Sequence, residues 1–184
     1  MHRRIVIKNL ALIIGGAALL PSCNHENDKA AIKLKNLKIS AGQERLISDI
    51  TETIIPKTTT PGARDLNLHL FVLKMLDDCY NKKDQQKFIT GMAQFTGAVK
   101  SKFDSSFGEL AVKQREQILL DIEHDQDPKS TDHPEELKVF YGIIKGQTVN
   151  GYTNSKYFMT KQVVYELIPG RYNARFPYKQ KQAV

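Results

Sequence analysis

Five histidines and two cysteines carry most of this chain's capacity to ligate a metal or attack a substrate, and their spacing limits the chemistry open to them. The densest group is Glu123-His124-Asp125-Gln126-Asp127, with Asp132-His133 close behind. Carboxylate and imidazole suit a divalent cation, but no two histidines stand four apart, the spacing that puts a pair on one helical face. The segment also lacks the glycine and closing glutamate of a calcium loop. It reads as a solvated acidic loop. His69, among Leu68, Leu70 and Phe71, reads as a satisfied, half-buried histidine rather than a general base. There is no C-x-x-C-H run, no phosphate-cradling glycine loop and no dinucleotide fingerprint. The chain does not read as an enzyme, and no catalytic, cofactor-binding or metal-binding residue is expected in it.

Cys23 has a different chemistry. Met1–Lys8 is a cationic opening (MHRRIVIK), Leu10–Leu20 is apolar, and Leu20-Pro21-Ser22-Cys23 closes the run. This is the layout of a removable export signal. Its apolar stretch is far shorter than the roughly 20 residues a helix needs to cross a bilayer. Leu20-Pro21-Ser22-Cys23 fits a lipobox, in which cleavage after Ser22 leaves Cys23 as a lipid-bearing N-terminus. Arg3-Arg4-Ile5-Val6-Ile7-Lys8 fits the twin-arginine pattern, which directs a route for folded cargo. An ordinary secretory lipoprotein signal is the alternative. With Cys23 acylated, Cys79 has no partner within the chain. Its place behind Leu73, Met75 and Leu76 predicts a buried, inert thiol, with a bond to another chain as the alternative.

Removing residues 1–22 leaves 162 of the 184 residues, enough for one domain with a core. It takes away Arg3, Arg4 and Lys8 and no acid, lowering the formal charge from +7 to +4. Lys29, Lys33, Lys35 and Lys38 then follow the cysteine, where they could rest on anionic headgroups or merely solvate a tether. No basic helix with interleaved aromatics appears, so nucleic acid is not an expected partner.

The elements that must position these residues are helical throughout. Residues 23–39 read as a lipidated tether and residues 40–184 as the domain. Ser40-Ala41-Gly42-Gln43 is a capping box, and Leu46, Ile47, Ile50 and Ile54 follow at helical spacing until Pro56. Thr58–Asp65 is a loop. Further helices are predicted over Asn67–Tyr80, Lys82–Phe103 and Leu110–Glu123, with close packing or a kink at Gly91 and Gly97. A fifth takes Pro134 in its first turn and carries Leu137, Phe140, Tyr141, Ile143 and Ile144. Asn150-Gly151 should break it. Ser155 should cap a short helix through Val163, Val164 and Tyr165, and an extended tail follows from Ile168. No run alternates with period two. The fold class is all-α, a single small domain of five to six helices with an extended C-terminal tail.

Several segments together resemble a known family. Thr51-Glu52-Thr53-Ile54-Ile55-Pro56, then Thr60-Pro61-Gly62-Ala63 and Asp65, resembles the opening signature of the gluconate 2-dehydrogenase subunit 3 family. Gly151-Tyr152-Thr153-Asn154-Ser155 is similar to its second signature, and Tyr165-Glu166-Leu167-Ile168-Pro169-Gly170-Arg171-Tyr172 to its third. Gln114-Arg115 stands where the family often has a glutamine-rich helix. The resemblance spans about residues 40–178. It implies a small non-catalytic subunit that accompanies a large flavin-dependent dehydrogenase of the glucose-methanol-choline type, often with a cytochrome c subunit. FAD would sit in the large subunit, and the small one would assist maturation and twin-arginine export. The resemblance marks two partner surfaces. One is the loop of Pro61, Gly62, Arg64 and Asp65, and the other the tail with Tyr165, Pro169, Gly170, Arg171, Tyr172, Arg175 and Phe176. Tyrosine and arginine are the types in which interfaces concentrate energy. The lipobox is a departure, since not every relative is lipid-anchored. Two other readings stay open on the residues themselves: a free-standing envelope lipoprotein binding a small molecule or envelope component, and a hydrolase using His69 or the His124–His133 loop.

Overall fold

Apolar residues recurring every three or four positions leave each helix with one face to bury, and among the described residues five helices solve this around one of their number. The computed structural model describes residues 30–124, 134–163 and 175. The export signal (Arg3, Arg4, Lys8, Ser22, Cys23), the acidic loop 125–133 and all of the tail beyond Val163 except Arg175 lie outside the described residues. Among the described residues the elements are α1 (Ala41–Ile54), α2 (Leu68–Cys79), α3 (Lys82–Phe103), α4 (Val112–His124) and α5 (Glu135–Thr153). A 3-10 turn (Phe107–Glu109) precedes α4, and a π-helical turn (Phe158–Gln162) follows α5. No strand occurs among the described residues, so the all-α expectation holds.

Helix α5 packs against each of the other four, most extensively against α3 and then α2. Its Phe140 is fully buried between Phe88 and Phe95 of α3, with ring centroids 4.9 and 5.7 Å away. These are the tilted geometries aromatic pairs prefer. Phe107 adds an edge-on contact to Phe95. The helices come this close because residue 91 is glycine. A Cβ there would lie 2.6 Å from the Glu136 carbonyl carbon and 2.7 Å from Phe140 Cβ. Gly97, by contrast, faces open space, and α3 continues through it.

The capping box at α1 is present: Ser40 Oγ accepts from Gln43 N, and Ser40 N donates to Gln43 Oε1. Several other boundaries differ from expectation. Helix α4 starts at Val112, because the 3-10 turn first lets Phe107 and Leu110 bury. Pro134 stands just outside α5, its carbonyl accepting the Leu137 and Lys138 amides. Asn150-Gly151 does not break α5, which runs on to Thr153. Glycine is admitted there because the helix crosses Phe71 of α2, where a Cβ would lie 2.7 Å from the ring. Ser155 does cap the next turn, accepting from Phe158 N at 3.1 Å. That turn is π-helical and ends at Gln162, with Val163 extended, short of the predicted Val163–Tyr165.

Cys79 is exposed, not buried. The buried stripe of α2 reaches its last turn at Leu76 and Asp77, and at 100° per residue Cys79 falls about 200° round from Asp77. Asp77 has a task of its own. Its carboxylate accepts the backbone amides of Lys35, Asn36 and Leu37 at 2.7–2.9 Å, and Asn36 Nδ2 also donates to the Asp77 carbonyl at 2.9 Å. Ile32, Leu34, Leu37 and Ile39 lie against the core. Residues 30–39, expected as part of a free tether, are therefore held to the domain.

Burial would raise the Asp77 pKa, but the amides of Lys35, Asn36 and Leu37 outweigh it and hold it below its ordinary value. A carboxylate more acidic when folded stabilises above its unfolded pKa of roughly 3.9, and that stability is lost as pH falls through the folded value. Asp77→Ala should cost about 3–5 kcal/mol at neutral pH, since hydrogen bonds to a charged acceptor are worth about 1.5–3 kcal/mol each. Urea unfolding of both proteins at pH 7 and pH 3 checks it. The gap between them should narrow in acid.

Candidate functional site

The chain between α1 and α2 is a long loop, and it is built rather than loose. Pro56 cannot continue α1. Glu52, in the last turn of α1, reaches over the break and accepts the amides of Lys57 (3.1 Å) and Arg64 (2.8 Å). Ala63 N donates to the Ile55 carbonyl and Leu68 N to the Ala63 carbonyl, both at 2.9 Å. Asp65 accepts from Gly62 N and pairs with Lys57 Nζ, both at 3.2 Å. The Lys57 hydrogen bond, with help from the Gly62 amide, lowers the Asp65 pKa. Arg64 turns back onto α1, donating from Nε to Ser48 Oγ at 3.3 Å and pairing with Asp49.

Gly62 and Ala63 are buried within this frame. A Cβ on Gly62 would stand 2.6 Å from Lys57 N and 2.7 Å from a Glu52 carboxylate oxygen, closer than real side chains come. The loop residues expected to face a partner thus divide. Gly62 and Asp65 hold the loop's shape, whereas Arg64, with its side chain half exposed, and the exposed Pro56, Lys57, Thr58 and Thr59 form its outer surface. Pro61 is partly buried.

The fold brings Gly151–Ser155 to the same end. Gly151 lies over Phe71 and Leu68, the residues that follow the loop. A cleft of about 380 Å³ is lined by Leu66, Leu68, Phe71, Gly151, Asn154 and Tyr157, among others. Beside it Tyr152 packs edge-on against Phe158 (5.7 Å) and near Tyr157 (6.5 Å). An apolar floor with aromatic side chains is recognition chemistry. Of the tail, Arg175 is exposed, and Tyr165, Pro169, Gly170, Arg171, Tyr172 and Phe176 lie outside the described residues.

Among the described residues the other chemistry-bearing side chains do not converge. His69 Nδ1 is buried with no hydrogen-bond partner, so this histidine is half-buried but not satisfied as expected. Burial lowers its pKa, against a raising effect of Glu44. His124 is exposed at the end of α4, and His133 is outside the described residues. No group of three His, Cys, Asp or Glu able to hold a metal occurs among the described residues, nor is any described helix long and apolar enough to cross a membrane.

Sequence reading missed two polar assemblies. One is the Glu52 cup, whose signal was an acid one turn before a helix-ending proline. The other joins Glu123 of α4 to Tyr141 and Lys145 of α5. Tyr141 donates to Glu123 at 3.0 Å and Lys145 pairs with the same carboxylate. The Lys145 hydrogen bond, then that of Tyr141, lowers the Glu123 pKa. Burial, then Glu123, pushes the Tyr141 hydroxyl up. Tyr141 and Lys145 stand four apart on one helical face, but their partner comes from another helix.

A family model described as gluconate 2-dehydrogenase subunit 3 matches residues 41–170, which takes in α1 to α5, the loop and the cleft. No curated protein and no solved structure matches the chain.

Gly62→Ala should open the loop, because either Lys57 N or the Glu52 carboxylate must move. Overpacking of this kind costs about 1–3 kcal/mol. Hydrogen exchange should quicken at the Lys57 and Arg64 amides while amides in α3 and α5 keep most of their protection.

Proposed function

The chain belongs to the gluconate 2-dehydrogenase subunit 3 family, and from that membership we propose that it is the small, non-catalytic subunit of an exported flavin-dependent dehydrogenase. The large subunit, of the glucose-methanol-choline type, holds FAD and oxidises a sugar or alcohol. A cytochrome c subunit takes the electrons. This chain binds the folded large subunit, assists its maturation and lends it the twin-arginine signal of Arg3, Arg4 and Lys8. Cleavage after Ser22 and acylation of Cys23 then anchor the pair on the periplasmic side of the inner or outer membrane.

The observation that carries this reading is the family match over nearly the whole helical domain. The site agrees with it in kind. Gly151–Ser155 meets Leu66, Leu68 and Phe71, the residues that follow the Thr60–Asp65 loop, around an apolar cleft. Arg64 and the tail residues Tyr165, Arg171, Tyr172, Arg175 and Phe176 make contact with the large subunit. Gly62 and Asp65 act through the loop they hold in place.

Solubilised membranes should yield this chain together with a larger yellow flavoprotein. Deleting the chain from Ile168 onward should abolish that co-purification while the truncated protein stays in the membrane fraction. Arg64→Ala should weaken the pair about tenfold, the effect of losing one moderately strong interface arginine. The double change Arg3→Lys and Arg4→Lys should retain both proteins in the cytoplasm. Unchanged export of both would assign the ordinary secretory route, and purification with no flavoprotein would overturn the proposal.

A further inference from the structure

One corner of the domain, where residues 35–37 cross the end of α2 and the first turn of α3, is rich in lysine. Asp77 fixes Lys35, Asn36 and Leu37 by their backbones. Lys82 Nζ donates to Asn36 Oδ1 at 3.2 Å, so the entering segment and the first turn of α3 lie side by side. Lys33, Lys35, Lys38, Lys82 and Lys83 are all exposed there. The neighbouring acids are engaged. Asp77 is buried under its three amides, and Asp78 pairs with Lys74 at 2.9 Å. Asp84 accepts from Asn81 Nδ2 at 2.7 Å, and Glu44 takes the Ile32 amide at 3.2 Å. Hydrogen bonds leave a carboxylate its charge, but with Asp78 paired to Lys74 and Glu135 to Lys87 these five exposed lysines outnumber the remaining acids, Asp77, Asp84 and Glu44.

Chain length says what lies opposite. Ala30 is seven residues beyond Cys23, and seven fully extended residues reach at most about 25 Å. We propose that the membrane carrying the Cys23 lipid is bound directly by this corner, with Lys33, Lys35, Lys38, Lys82 and Lys83 on anionic phospholipid headgroups. The inference rests on the lipid-anchor reading above. Helix α2 begins beside the loop and ends at the basic corner, so its twelve residues separate the two by about 18 Å.

The test uses the mature chain with Cys23→Ser, floated with vesicles of phosphatidylcholine alone or mixed with phosphatidylglycerol. Binding should appear on the anionic vesicles alone and weaken as salt is raised. The triple variant Lys35→Gln, Lys82→Gln, Lys83→Gln should bind at least tenfold more weakly, since each lysine near an anionic surface is worth roughly fivefold. A matched triple on other surfaces, Lys102→Gln, Lys113→Gln, Lys156→Gln, should bind as the parent does. Equal loss in both triples, equal binding to both vesicle types, or binding to neither overturns the proposal. Mass spectrometry of the native protein's N-terminal peptide reads the anchor separately. An unacylated Cys23 would end the anchor reading without altering the vesicle result.

Discussion

The seat of α5 on α3 is the contact from which the rest of the molecule takes its position. Gly91 lets the backbone around Glu136 settle against α3, and Phe140 then drops between Phe88 and Phe95. Helix α5 also touches α1, α2 and α4, so any shift on α3 would be passed to all of them. A second close approach, Gly151 over Phe71, sits near the other end of the same helix. One helix is thus pinned at both ends by the absence of a side chain, and its far end supplies half of the candidate site.

Buried polar groups are expensive unless every one is partnered, and the end of α2 shows how this chain meets that demand. Gln85 is buried on α3 and its Nε2 lies 3.0–3.1 Å from the carbonyls of Leu76, Asp77 and Tyr80. It closes a helix end that has no capping glycine. Asp77, one turn from that end, draws in the entering chain through its carboxylate. The two side chains together join three segments of backbone, the entering chain, the end of α2 and the start of α3. At the opposite end of α2, Glu52 and Asp65 do the same for the loop. Carboxylates satisfied by main-chain amides therefore fix both ends of one helix.

Period and punctuation made α1, α2 and α3 legible from sequence almost to the residue. Ser40 with Gln43, and Pro56, are local signals, and local structure obeyed them. The errors came where a distant residue decided. Gly151 is a helix breaker by propensity but a contact surface once Phe71 lies across it. Cys79 sits in an apolar run, yet the stripe of α2 turns toward Asp77 and leaves the thiol outside. The lysine-rich segment 30–39 looks like a linker until Asp77 collects its amides. The loop was visible as a loop and as a family signature, but not as a frame. That Gly62 is buried and its amide held by Asp65, while the Arg64 side chain stays half exposed, depends on Glu52, whose role sequence spacing alone does not reveal.

The internal bonding of that loop has a thermodynamic and kinetic meaning for anything that docks on it. A flexible connection must lose conformational freedom when it binds, and that loss comes off the affinity. Here Glu52, Asp65 and the buried Gly62–Ala63 pair have already fixed the backbone. A docking protein meets a surface whose main chain is set, so little ordering entropy remains to be lost there. Association at the loop needs no prior rearrangement of its backbone, and differences in affinity among loop variants would appear chiefly as differences in how long the complex lasts.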